Sequence, residues 1–144
     1  FELRDNEGQM VKLSDFREKK NVLLVFYPAA FSPGCEGEFC TLRDQNADLA
    51  QREDLEVIGV SVDPVWALRE WKAKQGFVNR FVSDFWPHGG VSQEYGAFDD
   101  RYGIAHRHTF LIDKGGVVRY VERNSSREIR DQSAWRSALN ELAS

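Results

Sequence analysis

An α/β fold, with a mixed central sheet and helices on both of its faces, is what this sequence predicts. Two apolar runs, Asn21-Val22-Leu23-Leu24-Val25-Phe26-Tyr27 and Leu55-Glu56-Val57-Ile58-Gly59-Val60-Ser61-Val62, read as strands covered on both sides. A helical pattern lies between them, which calls for a right-handed parallel crossover. Late in the chain, two further runs flank Asp113-Lys114-Gly115-Gly116. Those glycines suit a hairpin turn, so antiparallel edge strands join the parallel ones.

The 144 residues are enough for one domain with a sizeable core, so residues 1–144 are expected to form a single domain. Hydrophobic content of 42% and charged content of 29% belong to a soluble globular chain rather than a disordered one. A net charge of -4 gives no general attraction to nucleic acid. No apolar run approaches a membrane span. Residue 1 is Phe and already reads as part of a strand, so the natural start is expected upstream, with room there for a targeting segment.

In chain order, Phe1 to Arg4 alternates, Asp5-Asn6-Glu7-Gly8 turns, and Gln9 to Leu13 alternates again, which predicts a hairpin. Leu13-Ser14-Asp15-Phe16 offers a short helical turn. After the first buried strand, Gly34 to about Arg52 reads as one helix, with Phe39, Leu42 and Leu49 among its apolar positions. Asp63-Pro64 starts the next helix, with Ala67, Leu68 and Trp71 inward and Gly76 placed to end it. Phe81 to Asp84 is a short strand and Val91 to Tyr95 a short helix. Asp99-Asp100 reads as a solvated polar loop. Asp131 opens a last amphipathic helix carrying Ala134, Trp135, Ala138, Leu139 and Leu142. Among sheets of this element order, a thioredoxin-like one fits best.

Chemistry gathers where the first buried strand ends, in Pro28-Ala29-Ala30-Phe31-Ser32-Pro33-Gly34-Cys35. Cys35 falls at the start of a helix, where unpaired N–H groups carry partial positive charge and favour the reactive thiolate. Pro28 ends the strand, since it cannot donate within a sheet, and shields the sulfur from water. Ser32 offers a hydroxyl to the sulfur or its ligand and suits a helix N-cap. Gly34 lets backbone N–H groups come close to a small ligand. Two cysteines this close together do not make a disulfide scaffold. They suit a redox pair, or a nucleophile with a neighbour, in a reducing compartment, so the cytoplasm is expected.

Pro28, Ser32 and Cys35 match the peroxiredoxin pattern of Pro, three residues, Thr or Ser, two residues, Cys. Ser83-Asp84-Phe85-Trp86-Pro87-His88-Gly89, Tyr95-Gly96 and Gly103-Ile104-Ala105-His106-Arg107-His108-Thr109-Phe110 also resemble the alkyl hydroperoxide reductase E type of that family. The resemblance implies a thiol peroxidase acting on hydrogen peroxide, organic hydroperoxides or peroxynitrite through a sulfenic acid on Cys35. It implies a catalytic Arg107, whose guanidinium would hold peroxide oxygens with fixed donors, and it places Gly34, Cys35 and Arg107 around the substrate. It also implies a homodimer, pairing through loops around the site, where Phe31, Phe85 and Trp86 offer aromatic surface. Thioredoxin, a glutaredoxin-like protein and a low-molecular-weight thiol all remain as reductants.

Cys40 departs from that type, and the Cys-x4-Cys spacing is similar to the bacterioferritin-comigratory, or Q, type, whose second cysteine resolves the first. Two readings stand for Cys40: an intramolecular disulfide with Cys35, or packing beside Phe39 and Leu42. Five helical positions separate the two Cα atoms by about 8–9 Å. A disulfide needs about 4.4–6.8 Å. Resolution would therefore require the helix to unwind.

Nothing in the chain calls for a cofactor. His106 and His108 lack a third metal ligand at a characteristic spacing. Gly89-Gly90 and Gly115-Gly116 are turns rather than phosphate loops, and the four Trp residues suit core and contact surface. A disulfide reductase would need Cys-x-x-Cys. A thiol-based redox sensor, oxidised once at Cys35, is the alternative to catalysis.

Overall fold

The computed structural model describes residues 1–125 and 127–143. Strands β1 (Glu2–Asp5) and β2 (Met10–Lys12) form the expected hairpin, and a 3-10 turn follows at Leu13–Phe16. Then come β3 (Asn21–Phe26), α1 (Pro33–Gln45), α2 (Ala47–Gln51), β4 (Leu55–Ser61), α3 (Val65–Gln75), β5 (Arg80–Ser83) and α4 (Gly90–Glu94). The chain finishes with β6 (Phe98–Asp99), β7 (Ile104–Ala105), β8 (Arg107–Ile112), β9 (Val118–Asn124) and α5 (Ser133–Ala143).

Seven strands make one mixed sheet in the order β2-β1-β5-β4-β3-β8-β9. The two apolar runs are neighbours, β3 parallel to β4, and β5 continues the parallel set. The late hairpin joins through β8, antiparallel to β3, so of its two strands β9 alone lies at an edge, opposite β2 at the other edge of the sheet. This is the mixed sheet of a thioredoxin-like fold. Alternation along the strands builds a core on each face. Leu23, Val25, Val57 and Phe81 pack with Phe39, Leu42, Trp71, Trp135 and Leu139 from α1, α3 and α5. On the other face Val22, Leu24, Ile58 and Val60 pack with Phe16, and with Val91 from α4.

Two local readings change. The helix expected from Gly34 to Arg52 breaks at Asn46, which sits at φ -130 and ψ 27. Its side chain is taken by the C-terminal region: Nδ2 donates to Gln132 Oε1 (3.1 Å), and Oδ1 accepts from Arg136 Nη2 (3.2 Å). Asp99 is not solvated surface; it is buried in β6, which pairs antiparallel with β7. A two-residue ladder is too short to leave a periodic signal. The Trp residues divide, Trp71 and Trp135 in the core and Trp66 and Trp86 exposed.

Candidate active site

The loop from Tyr27 to Ser32 carries the chain from the end of β3 into α1. Asp63, just past β4, holds that loop: its Oδ2 accepts from Ala30 N (2.8 Å) and from Ser61 Oγ (2.7 Å), and Ser61 Oγ also hydrogen-bonds Tyr27 Oη (3.2 Å). Phe31 adopts a left-handed φ of 69, rare for a residue with a side chain. Pro28 is buried immediately after the strand, as its lack of a donor requires. Ser32 occupies the N-cap position, yet its hydroxyl does not cap α1. It donates instead to Ala29 O (2.9 Å), leaving its lone pairs to accept.

Pro33 then begins α1, and Cys35 lies in the first turn with no exposed surface. The N–H groups of Gly34 and Cys35 precede the first intrahelical bonds. Tyr27 is fully buried in the same core cluster as Cys35. Burial, then the charge of Asp63, pushes its phenol well above its usual range; Ser61 partly offsets this, and Cys35 adds to the rise.

Arg107 reaches this point through register. Thr109 pairs with Val25, so two residues earlier β8 begins level with the end of β3. Its guanidinium is buried against α1, so close that a Cβ added at Gly34 would lie 2.8 Å from Nη2. A side chain there would have to displace Arg107. Pro28, Ser32, Gly34, Cys35 and Arg107 are therefore gathered at one end of the sheet. Cys40 is not part of that group; it lies further along the intact α1, packed against the core, and both thiols are free.

Two residues that the sequence reading omitted complete the site. Glu38, one turn after Cys35, is buried and bonded by Arg107 Nη1. Arg130, in the irregular segment before α5, grips the same carboxylate through Nε (2.9 Å) and Nη2 (3.1 Å), and its backbone N–H also donates to Glu38 Oε2 (2.9 Å). The other Arg130 donors go to Phe26 O (2.7 Å), His108 O (3.2 Å) and Thr109 Oγ1 (3.1 Å). One carboxylate thus fixes two guanidinium groups, and the excess positive charge is directed at the start of α1. The inward turn of Glu38 had one faint signal, its spacing of three from Cys35 on a helix.

His106 and His108 stack with ring centroids 5.3 Å apart. Burial, then His106, Arg123 and Arg130, lower His108 to about 4, so its ring is neutral at physiological pH. His88 is exposed and bonded to Gly103 O (2.7 Å). Among the described residues, no group of three or more His, Cys, Asp or Glu is placed to hold a metal ion. No described helix is long and apolar enough to cross a membrane.

Comparison with known proteins bears on this arrangement. A profile of the AhpC/TSA family matches residues 1–121. Alkyl hydroperoxide reductase E of Mycobacterium tuberculosis strain H37Rv is 44% identical over 142 residues, 99% of this chain and 92% of the relative. Peroxiredoxin Bcp of Escherichia coli K12 is 33% identical over 127 residues, 84% of this chain and 79% of that protein. Among solved structures, peroxidoxin BcpB from Mycobacterium tuberculosis superposes with a TM-score of 0.81 at 32% identity, covering 99% of this chain and 92% of its own.

Proposed function

This chain belongs to the AhpC/TSA family of peroxiredoxins and is a thiol-dependent peroxidase; within that activity we propose that Cys35 is the sulfur that attacks the peroxide. The observation that supports this most is the buried Arg107 guanidinium lying against Gly34, beside a cysteine in the first turn of α1. In the proposed step the Cys35 thiolate bonds to the outer peroxide oxygen and the O–O bond breaks. Its electron pair leaves on the other oxygen as alkoxide or hydroxide, which then takes a proton. Cys35 is left as a sulfenic acid.

Arg107 and the first N–H groups of α1 supply fixed donors for the charge that develops on oxygen. Glu38 and Arg130 hold Arg107 in place. The Ser32 hydroxyl, its proton committed to Ala29 O, accepts from the peroxide O–H. Pro28 and Tyr27 keep water from the sulfur.

Resolution by Cys40 belongs to the same reading, with a thiol compound or a thioredoxin- or glutaredoxin-like protein as the final reductant. Attack of the Cys40 thiol on the sulfenic sulfur would form the disulfide and release water. Unwinding the start of α1 must come first. It breaks the bond from Trp71 Nε1 to Glu36 Oε1 (3.1 Å) as well as those on Glu38, while Gly37 weakens the helix between them. One equivalent of peroxide should remove both thiols of the reduced protein, the second more slowly. Cys40→Ser should lose one thiol and stop. A Cys40 thiol still free in the parent protein after peroxide treatment would remove the resolving role.

Pairing of two copies is also part of the proposal. Trp66 and Trp86, 77% and 79% exposed, line a groove of about 770 Å³ with Phe85 and Met10. An apolar patch of that kind suits an interface. Sedimentation should show a dimer that Trp86→Glu converts to monomer; a monomeric parent at high micromolar concentration would contradict this.

A further inference from the structure

Behind Arg130 stands a carboxyl that the peroxide step does not touch. Glu122 on β9 pairs with Thr109 on β8, and strand alternation turns it to the face that carries Thr109 and Arg107. Its Oε1 is shut off from solvent, and no donor among the described residues reaches it. A buried carboxylate oxygen lacking a donor is costly when charged.

The groups facing Glu122 come from every element around it: Glu38 from α1, Thr109 and, beyond Glu38, Arg107 from β8, Tyr120 from β9, and Arg130 and Asp131 from the segment before α5. Burial pushes the Glu122 carboxyl up. Arg130 pulls it back, Glu38 and Asp131 add to the rise, and the Thr109 hydroxyl lowers it. All five guanidinium N–H groups of Arg130 are already committed, to Glu38, Phe26 O, His108 O and Thr109 Oγ1. An ionised Glu122 can gain a share of Arg130 only at the expense of those partners, Glu38 among them.

We propose that Glu122 is a positioning residue for the Cys35 reaction, acting through Arg130 and Glu38. Neutral, it leaves Arg130 to carry much of the Glu38 charge. Ionised, it draws Arg130 toward β9 and shifts the Glu38 charge onto Arg107, away from the peroxide. The inference rests on the roles given above to Cys35 and Arg107.

The test is the rate constant for hydrogen peroxide across a pH series, for the parent and Glu122→Gln, each divided by the thiolate fraction of Cys35 measured by alkylation. Glutamine keeps the shape and cannot ionise. The two proteins should agree at acid pH. As pH rises the parent should fall behind by about three- to tenfold, while Glu122→Gln stays level. Glu122→Ala, which removes the carboxyl outright, should also give a level profile, and it decides the matter alone if Glu122→Gln does not fold. Superimposable profiles, or a Glu122→Gln rate lowered by one factor at every pH, overturn the proposal. Failure of peroxide to consume Cys35 in the parent would instead overturn the reading of the site itself.

Discussion

Replacing Cys35 by serine abolishes peroxide reduction, with an expected loss of about 10⁴-fold or more in the rate constant. The substitution is close to isosteric, and the position is fully buried in the first turn of α1. What changes is the nucleophile. A serine hydroxyl has no nearby general base here, since Glu38 is occupied by Arg107 and Arg130, so it stays protonated and unreactive. Peroxide consumption under excess dithiothreitol measures the effect, and circular dichroism verifies that the helices persist. Residual turnover within tenfold of the parent would place the chemistry elsewhere.

Arg107→Lys has the second largest expected effect. Lysine keeps the charge but presents a compact ammonium in place of a planar fork, so it cannot bond Glu38 and direct further N–H groups at the oxygens together. Losing a donor aimed at developing oxyanion charge costs about 10²–10³-fold in rate. The fold should survive, because Arg130 keeps Glu38 paired through Nε and Nη2. Glu38→Ala differs in kind. It leaves two buried guanidinium groups without their carboxylate, and breaking such a pair costs about 3–5 kcal/mol. A rate loss with little loss of stability in Arg107→Lys, against a large stability loss in Glu38→Ala, separates the two roles. Equal melting losses in both would contradict the division.

Much of the fold was legible because its signals are local. The apolar runs of β3 and β4, the Asp63-Pro64 start of α3 and the glycine turn before β9 each occupy a few consecutive residues. The site was legible in the same way from Pro28 to Cys35, where the motif is continuous in sequence. Arg107 came from family resemblance, and register explains its arrival: β8 must run antiparallel beside β3 before residue 107 can meet residue 35.

What escaped notice is long-range. Glu36 and Glu38 are both acids near the start of α1, yet only Glu38 turns fully inward, toward a partner 92 residues away. Arg130 lies in an irregular stretch without period or motif. Its importance comes wholly from five donors that folding brings to Glu38, two strand carbonyls and a threonine. The break at Asn46 likewise depends on Gln132 and Arg136, neither of which is near it in the chain.

The most direct test takes the Cys40→Ser variant, which leaves a single thiol, and adds one equivalent of hydrogen peroxide with a sulfenate-trapping diketone. Peptide mass spectrometry should find the trapped adduct on the fragment carrying Cys35, in proportion to the peroxide consumed. Peroxide that disappears while the Cys35 fragment keeps its original mass would contradict the account.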